Sequence, residues 1–325
     1  MKKVLIATVL NFTLILLNTL QSQQLSVFSQ YTFNTFLLNP AAAGSEGYTT
    51  LNLISRRQWL GISGAPETDA ITVQTRLYKR SFIEHNKSVK KRYVKPKNSG
   101  KVGLGFYMFC DRADILLNTG FKFTYAYHIL TSKSQLSLGL STGIYQLKID
   151  QQKIRLGNDD DDLVNGLSKG TYYPDIDVGI YFTNRSIFCG VAANHLSAAH
   201  FQTGNSGFKY SQNRLISVMA GFQTKIKENT VMEPSLYLKS TITEGMQLDA
   251  SLKFIFKGQY WIGLTWRTSK TIVGVTGFRI NRFYLGYAID YAFNGLSLAS
   301  YGSHELMIAY KLGDNTRRYR WIERY

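Results

Sequence analysis

Residues that could bind a metal ion are concentrated in one acidic run. Asn158 is followed by four consecutive aspartates, Asp159 to Asp162, and carboxylate oxygens are the ligands that calcium prefers. An EF-hand loop needs acidic or amide residues at alternating positions before a glycine, and Leu163 and Val164 interrupt that spacing. The run therefore predicts a solvated acidic loop, with calcium binding as the alternative. No other metal site and no cofactor is predicted.

Nucleophilic catalysis would need a serine, a histidine base and an orienting polar residue within reach of one another. None of the five histidines lies in a recognisable catalytic motif, and the sequence contains no G-x-S-x-G. Ser303, His304 and Glu305 are consecutive, but in a strand His304 would point outward and Glu305 inward, so they could not act as a pair. The sequence therefore favours a protein that is not an enzyme, with a hydrolase as the weakest hypothesis.

Most of the chain, from about residue 50 to residue 312, alternates apolar with small or polar side chains. Leu136 and Leu138, for example, alternate with Ser137 and Gly139. Successive side chains of a strand point to opposite faces, so one face would be apolar and the other polar. Repeated segments of this kind predict an all-β fold, a transmembrane antiparallel β-barrel with lipid outside and a polar lumen. Many of the 27 glycines fall at inward positions, where they would save lumen space.

We predict about 14 strands, an even number that returns the chain to its starting side. Their predicted bounds are 48–59, 69–80, 100–111, 115–129, 134–149, 174–183, 186–195, 213–226, 231–240, 246–256, 259–267, 271–280, 283–292 and 303–312. One end of the barrel then carries the connections 60–68, 112–114, 150–173, 196–212, 241–245, 268–270 and 293–302. The other end carries 81–99, 130–133, 184–185, 227–230, 257–258 and 281–282. The second set is mostly short, as periplasmic turns are, so the first set is predicted to be extracellular.

The N-terminus predicts export to the outer membrane. Lys2 and Lys3 precede an apolar run over 4–17, which is shorter than the roughly 20 residues that a membrane-spanning helix needs. No later segment is apolar enough to span as a helix, so an exported chain would have to cross a membrane as a closed barrel. The predicted parts are a signal peptide 1–22, an N-terminal plug or periplasmic segment 23–47, the barrel 48–312 and a basic C-terminal tail 313–325.

The aromatic and cysteine contents agree with an exported barrel. Aromatic residues make up 14% of the chain, which aromatic girdles at both membrane interfaces would explain. The only two cysteines, Cys110 and Cys189, lie on the predicted lipid-facing side of their strands. Two cysteines in a large exported chain do not make a disulfide framework, so both are predicted to be unpaired.

The net charge of +17 is strongly basic. Export and the lack of a nucleic-acid-binding motif argue against a nucleic-acid partner. Basic residues instead cluster in the predicted periplasmic connection 81–99 and in the tail. We call the following residues the basic patch: Lys87, Lys90, Lys91, Arg92, Lys95, Lys97, Arg317, Arg318 and Arg320. The patch is predicted to be either a solvated turn and tail or a docking surface for an acidic periplasmic partner.

Four short motifs follow one another around the first predicted strand. They are SQYTFN (ending at Asn34), NPAAAG (Asn39, Pro40 and Gly44), RRQWLG (Arg56, Gln58 and Trp59) and GAPET (Gly64, Pro66 and Thr68). Asn39 and Pro40 predict a fixed turn, because proline sets its own φ and biases the residue before it to an extended conformation. Arg56 and Gln58 share one parity, so both are predicted to point into the lumen and to hold the plug by hydrogen bonds.

These motifs resemble the pattern SQY-x-FN, NPA-x-AG, R-x-QW-x-G and GAP-x-T of the PorP/SprF family of Bacteroidota outer-membrane proteins, which is associated with type IX secretion and gliding motility. The resemblance extends along the mature chain through Tyr125-Ala126-Tyr127, Pro174-Asp175, Asn194-His195-Leu196, Pro234-Ser235, Gly286-Tyr287 with Asp290, and Ser303-His304-Glu305. Two features depart from the family pattern. Residues 313–325 follow the last predicted strand, where members commonly end on an aromatic residue, and the connection 81–99 is unusually long.

The resemblance implies a barrel without enzymatic activity. Some family members act in secretion, and others help to deliver or attach one large secreted surface protein through its C-terminal sorting domain. Other type IX secretion or gliding components and outer-membrane lipid are the further partners implied. The connections 150–173 and 196–212, or the basic patch, would contact the secreted protein.

Two alternatives remain open at this point. The chain could be a diffusion porin or a ligand uptake channel, although a plug would block the modest lumen that about 14 strands enclose. The motif residues, together with Asp290, His304 and Glu305, could also serve only barrel folding and plug packing. In that case the protein partner would be recognised elsewhere.

Overall fold

The computed structural model describes residues 28–77, 101–131, 133–149, 170–197, 200–203, 208–211, 213–241, 245–293 and 300–312. In chain order the strands are β1 (Thr49–Arg57), β2 (Glu67–Leu77), β3 (Val102–Ala113), β4 (Leu116–Leu130), β5 (Ser134–Ile149), β6 (Thr171–Asn184), β7 (Ile187–Asn194), β8 (His200–Thr203), β9 (Phe208–Ser211), β10 (Leu215–Phe222), β11 (Thr224–Lys227), β12 (Thr230–Thr241), β13 (Gly245–Phe256), β14 (Tyr260–Arg267), β15 (Thr271–Ile280), β16 (Phe283–Ala292) and β17 (Ser303–Leu312). Two short 3-10 helices, Thr35–Leu37 and Pro40–Ala42, precede β1. Within the described ranges, no helix is long and apolar enough to cross a membrane.

The strands form a closed antiparallel barrel. Neighbours in the sequence pair from β1 to β7, then β7 pairs with β10, β10 with β12, and the ladder continues to β17. The seam between β1 and β17 is complete, because every residue of β1 from Thr49 to Arg57 has a partner in β17. With β10 and β11 taken as one interrupted strand, and with β8 and β9 outside the wall, the barrel has the predicted 14 strands.

The predicted strand bounds are close to the observed ones. The strands predicted at 134–149, 271–280, 283–292 and 303–312 have the observed bounds. The largest differences are 3 residues, at the end of the strand predicted at 69–80 and at the start of the strand predicted at 174–183. The strand predicted at 213–226 is interrupted at Gln223. Its pairing with β12 has a gap there, opposite Pro234, because proline has no N–H to donate.

One predicted connection contains structure that was missed. The segment 196–212 was predicted as a loop, but it contains the hairpin of β8 and β9, which pair only with each other. Each of these strands has four residues, and four residues are too few to establish a two-residue alternation in the sequence.

The two faces of the barrel wall are as different as the alternation predicts. Outward side chains such as Leu138, Ile180 and Leu264 are exposed, whereas inward Thr72 and Ser137 are buried in the lumen. Apolar side chains on the outer face suit the hydrocarbon of a bilayer. Both cysteines are free, as predicted: Cys189 is exposed, and Cys110 is partly exposed.

Residues 28–48, which we call the plug, lie inside the lumen. The plug meets Glu305 near the start of β17 through Ser29, and it meets Gln74 and Arg76 near the end of β2 through Gly44 and Ser45. These wall residues lie near opposite ends of the barrel. The plug therefore runs along the lumen before the chain turns back into β1.

The connections fall into two groups at opposite ends of the barrel. One end carries 58–66, 114–115, 150–170, 195–214, 242–244, 268–270 and 293–302, and the other carries 78–101, 131–133, 185–186, 228–229, 257–259 and 281–282. We call these the loop end and the turn end. Apart from 78–101, the long connections lie at the loop end, so the loop end is the end predicted to be extracellular.

Several predictions concern segments that the structure does not describe. The signal peptide lies within residues 1–27, and the basic patch lies within 78–100 and 313–325. The acidic run 158–162 and its calcium alternative also lie outside the described residues. All of these remain predictions.

Candidate functional site: the plugged lumen

The loop-end part of the plug is held by a buried ionic network, which we call the seam network. Arg56 of β1 pairs with Asp290 at 2.6 Å and with Glu305 at 3.2 Å. The same guanidinium donates to Ser29 Oγ at 2.8 Å, and Ser29 Oγ donates to Asp290. Glu305 accepts from the backbone N–H groups of Ser29 at 2.6 Å and Gln30 at 3.1 Å. Arg56 and Glu305 are cross-strand partners at the seam, so one network joins the plug to the strands that close the barrel.

The seam network extends along the wall through a second arginine. Arg267 of β14 pairs with Asp249 at 3.0 Å and also reaches Asp290 at 3.5 Å. All three side chains are buried. Buried charges are tolerated when they are paired and hydrogen-bonded. Arg267 therefore helps Arg56 to neutralise the buried Asp290 carboxylate.

Asn39 is the central anchor of the plug. Its Oδ1 accepts from the backbone N–H of Ala41 at 2.9 Å, which caps the second 3-10 helix. Its Nδ2 donates to the carbonyl oxygens of Ile180 at 2.9 Å and Val191 at 3.2 Å. The same side chain therefore shapes the predicted Asn39–Pro40 turn and ties it to β6 and β7.

Two further motif residues hold the plug to β2. Asn34 donates from Nδ2 to Thr72 Oγ1 at 3.0 Å. Gly44 donates from its backbone N–H to Gln74 Oε1 at 3.0 Å. Gly44 has φ +66, and a Cβ there would lie 2.6 Å from the carbonyl oxygen of Thr75. A side chain at residue 44 would therefore force the plug away from the wall.

A row of small residues makes room for the plug. Gly103, Ala126, Gly139, Gly179 and Ala192 are successive cross-strand partners on β3 to β7. Three of these positions touch the plug directly. A Cβ at residue 103 would overlap Ala43, one at residue 139 would overlap Pro40 and Ala41, and one at residue 179 would overlap Asn39. Inward glycines thus save lumen space at the place where the 3-10 segment packs.

Replacing Asn39 by alanine is expected to loosen the plug without unfolding the barrel wall. The change leaves the Ile180 and Val191 carbonyl groups without their side-chain donor and removes a helix cap, which together cost about 1–3 kcal/mol. Urea unfolding in lipid vesicles measures the cost, and limited proteolysis reports plug exposure. Asn184→Ala is the matched control, because the Asn184 side chain caps an exposed turn by accepting from the N–H groups of Ser186 and Ile187. Equal plug exposure in the two variants would refute the anchoring role of Asn39.

A second ionic cluster lies on the wall between β4, β6 and the end of β7. Lys122 Nζ lies 2.6 Å from Asp175 and 2.5 Å from Asp177. His195 Nδ1 lies 2.8 Å from Asp175, and its backbone N–H donates to Asp177 at 3.0 Å. Ligand atoms of the two aspartates and the histidine lie within 4.8 Å of one another. However, the Lys122 ammonium already occupies the position between the carboxylates, so the cluster is better described as an internal ion pair than as a metal site.

A cavity of about 140 Å³ remains between the plug and the wall. Its wall side includes Tyr107, Tyr145 and Lys122, and Phe36 and Pro40 form part of its plug side. Asp111 and Asn118 line it near the loop end of β3 and β4. The plug and this lining leave a mixed aromatic and polar recess in the loop-end half of the barrel.

The other predicted site residues shape the first loop-end connection. Gln58 lies just beyond β1, and its backbone N–H donates to the carbonyl oxygen of Pro66 at 2.9 Å. Trp59 has φ 45 and donates from its backbone to Ser303 Oγ at 3.2 Å. Gly64 has φ +73, and its carbonyl oxygen accepts from the Asp114 N–H at 3.0 Å. The Gln58 bond closes the connection 58–66 on itself, and the Trp59 and Gly64 bonds join it to β17 and to the connection 114–115. None of these contacts reaches the plug.

Two remaining predicted residues lie at the wall near the loop end. Thr68 Oγ1 donates to Asp111 at 2.7 Å and lines the cavity. His304 is outward, where its Nδ1 meets the Tyr287 hydroxyl at 2.5 Å. Glu305 is fully buried in the lumen. Neighbouring His304 and Glu305 therefore point to opposite sides of the wall.

Sequence reasoning missed the Lys122 cluster as a site. It singled out Pro174-Asp175 and Asn194-His195 as motif positions without a role, and the structure joins the two motifs through the contact between Asp175 and His195. No motif included Lys122. An inward lysine in a transmembrane strand was the only available signal, because charged residues at membrane depth normally face a lumen or a partner.

One family model and several solved structures are similar to this chain. A family model described as "Type IX secretion system membrane protein PorP/SprF" matches residues 20–310. The outer membrane protein Omp33 of Acinetobacter baumannii is 7% identical, with a TM-score of 0.45, over 82% of this chain and 100% of that chain. A mutant of the Rh. blastica porin is 7% identical, with a TM-score of 0.34, over 82% of this chain and 99% of the porin chain. A mutant of TodX, which is described as a monoaromatic hydrocarbon channel, is 9% identical, with a TM-score of 0.41, over 85% of this chain and 92% of the TodX chain. No curated protein matches the chain.

A closed barrel with an apolar outer face, a polar lumen and an internal plug is a membrane protein of the outer-membrane class. The matched range 20–310 includes the plug and nearly all of the wall. The chain therefore belongs to the PorP/SprF family of type IX secretion system membrane proteins, as its motifs predict. It is an outer-membrane barrel associated with type IX secretion.

Proposed function

We propose that this barrel is a non-enzymatic scaffold that binds the C-terminal domain of a large secreted surface protein and helps to secrete or anchor it. The observation that carries the proposal is the plug, which runs through the lumen between the seam network and the end of β2. A protein whose lumen is filled and bonded at both ends is better suited to binding than to diffusion. Family membership supplies the secretion context.

The plug contacts favour a structural role for most of the motif residues. Asn34, Asn39 and Gly44 contact the barrel wall. Arg56, Asp290 and Glu305 contact Ser29 of the plug. Contacts that are satisfied within the chain leave little for a client to recognise. We therefore propose that these residues hold the scaffold and that connections 150–173 and 196–212 recognise the client, since binding specificity is often carried by loops.

The same arrangement argues against an enzyme. The Ser303-His304-Glu305 run is divided between the two faces of the wall, and Lys122 is already paired with two carboxylates. We propose that both ionic clusters stabilise the lumen. Other type IX secretion or gliding components and an acidic partner of the basic patch remain proposed partners.

Affinity purification tests the client proposal. The tagged protein is recovered from cross-linked, detergent-solubilised outer membranes and analysed by mass spectrometry. We expect enrichment of one large exported protein with a C-terminal sorting domain, and loss of that enrichment when connections 150–173 and 196–212 are trimmed. Trimming 293–302, another loop-end connection, is the matched control and is expected to leave the client bound.

A porin would give a different result. Recovery of the barrel alone, together with open conductance of the purified protein in planar bilayers, would overturn the scaffold proposal and support diffusion or ligand uptake. Retention of the client by the doubly trimmed variant would place recognition elsewhere, with the basic patch as the next surface to test.

A further inference from the structure

The recess between the plug and the wall contains a carboxylate without a cation. Asp111 accepts a hydrogen bond from Thr68 Oγ1 at 2.7 Å, and among the described residues no cationic side chain pairs with it. Lys122 lies four residues deeper along the β3–β4 ladder, because Asp111 is level with Asn118, which is a separation of about 13 Å along the strands. A partly buried charge without a partner is costly, so Asp111 favours a cation from outside the chain.

The recess is acidic as a whole when its lining is counted together with the ion-pair partners of that lining. Lys122 is shared by Asp175 and Asp177, and Asp111 adds a third carboxylate. His195 contacts Asp175, and even a protonated His195 leaves three carboxylates against two cations. Excess negative charge in a low-dielectric cleft attracts a cation.

Two tyrosine hydroxyl groups in the recess have no hydrogen-bond partner among the described residues. They belong to Tyr107 and Tyr145, and Tyr145 is only 2% exposed. Phe109 lies between the two rings, with centroid distances of 5.5 Å to Tyr107 and 4.8 Å to Tyr145. A buried tyrosine hydroxyl usually has a partner, and aromatic rings attract cations. The same wall therefore offers both unused acceptors and aromatic surface to a cationic ligand.

The recess has the size of a short alkyl ammonium. Its volume is about 140 Å³, which holds about four or five heavy atoms at about 30 Å³ for each water-sized group. Asp111 and Asn118 are partly exposed at the loop-end side, so a ligand would enter from there. A primary ammonium has three donors and no acceptor, which suits a lining of carboxylate and hydroxyl oxygens.

We propose that the recess binds a primary ammonium group on a short alkyl chain, as at the end of a lysine side chain, with Asp111 as its counter-ion. The Tyr107 and Tyr145 hydroxyl groups accept its remaining hydrogen bonds, and Phe109 packs against the alkyl chain. The site lies inside the barrel and is separate from the connections proposed to recognise the secreted client, so it goes beyond that function.

Ligand-observed NMR of the full-length barrel in phosphatidylcholine nanodiscs tests this proposal. The probe is n-butylammonium, and empty nanodiscs correct for binding to lipid. The controls are n-butanol, which has the same number of heavy atoms without the charge, and butyrate, which has the opposite charge. We expect n-butylammonium to bind at least about tenfold more tightly than either control. Equal binding of n-butanol and n-butylammonium, or no binding of n-butylammonium, would overturn the proposal.

Two variants test the roles of the side chains. Asp111→Asn keeps an acceptor for Thr68 but removes the charge, and it is expected to weaken n-butylammonium binding by about tenfold or more. Tyr107→Phe keeps the ring and is expected to weaken binding by about threefold or more. Asp69→Asn is the matched control, because Asp69 faces outward and is 55% exposed. Unchanged affinity in correctly folded Asp111→Asn would refute the counter-ion role.

Carbodiimide coupling of the unmodified protein provides a readout that does not depend on a variant folding. The carbodiimide activates a carboxyl group, and the ligand amine then forms an amide that peptide mass spectrometry locates. We expect coupling at Asp111 to saturate with n-butylammonium concentration, whereas coupling at exposed Asp69 rises in proportion to it. Proportional coupling at both residues would show that Asp111 belongs to no binding site.

The source of the ammonium group is decided by two further measurements. Binding of an acetylated, amidated glycine–lysine–glycine peptide as well as n-butylammonium would assign the recess to a lysine of a polypeptide. Binding of n-butylammonium alone would assign it to a small free amine. The chain's own Lys153 and Arg155, which follow β5 in sequence, are the competing occupants. Binding that appears only in the Lys153→Gln, Arg155→Gln variant would overturn the proposal of an external ligand. None of these results depends on whether the client is bound.

Discussion

Replacing Arg56 by leucine is expected to prevent the barrel from remaining closed around its plug. The change leaves Asp290 and Glu305 buried without their shared guanidinium, and it removes a donor to Ser29. Loss of one partner from a buried ionic network costs about 3–5 kcal/mol. That is a large part of the total stability of a typical protein, which is about 5–15 kcal/mol. Heat-modifiable migration on gels and urea unfolding in vesicles measure the loss.

The next residue in the chain is the matched control. Arg57 carries the same charge but points outward, where it pairs with Glu67 and Asp69 and is 37% exposed. Arg57→Leu is expected to cost less than about 1 kcal/mol, because exposed ion pairs contribute little. Adding Glu305→Leu to Arg56→Leu is expected to recover part of the loss, since one unpaired buried charge is removed. Equal destabilisation by Arg56→Leu and Arg57→Leu would refute the importance of the seam network.

Replacing Gly139 by valine is expected to open the lumen by displacing the plug. The new side chain would occupy the space of Pro40 and the backbone of Ala41, and backbone atoms cannot move aside as a flexible side chain could. Valine suits a strand, so the wall itself should tolerate the substitution. In planar bilayers we expect the unmodified barrel to be closed and the variant to conduct. In intact vesicles we expect faster proteolysis within residues 28–48.

Gly274→Val provides the comparison for this experiment. Gly274 also lies within a strand, but the nearest contact of an added Cβ is Ile289 at 3.5 Å, an ordinary packing distance. This variant is expected to remain closed and resistant to protease. A Gly139→Val barrel that folds and is as closed as Gly274→Val would show that the plug does not depend on the small-residue row.

Strand positions could be predicted because they depend on a local pattern. A lipid-facing strand must alternate apolar and polar side chains, so β5, β15, β16 and β17 could be located to the residue. The β8–β9 hairpin could not, because each strand is short and pairs only with the other. The interruption between β10 and β11 lies opposite Pro234 of the neighbouring β12. It could not be predicted, because a sequence does not show which residues of two strands lie side by side.

The candidate site could be predicted only in part. The two-residue alternation of β1 predicts that Arg56 points into the lumen, and Asn39 followed by Pro40 predicts a turn. Neither identifies the partners of these side chains. Arg56 meets Asp290 from the far end of the chain, and Asn39 meets carbonyl groups of β6 and β7. Gln58 lies one residue beyond the end of β1, so its predicted lumen contact remains a prediction.

By itself, the sequence determined the barrel, its number of strands, the parity of each wall residue and the family. These features depend on the backbone period and on short motifs, both of which act over a few residues. Only the tertiary structure decided how the plug is held. Ser29 and Glu305 are separated by 276 positions in the chain, and they meet because closure of β1 on β17 brings both ends of the chain together.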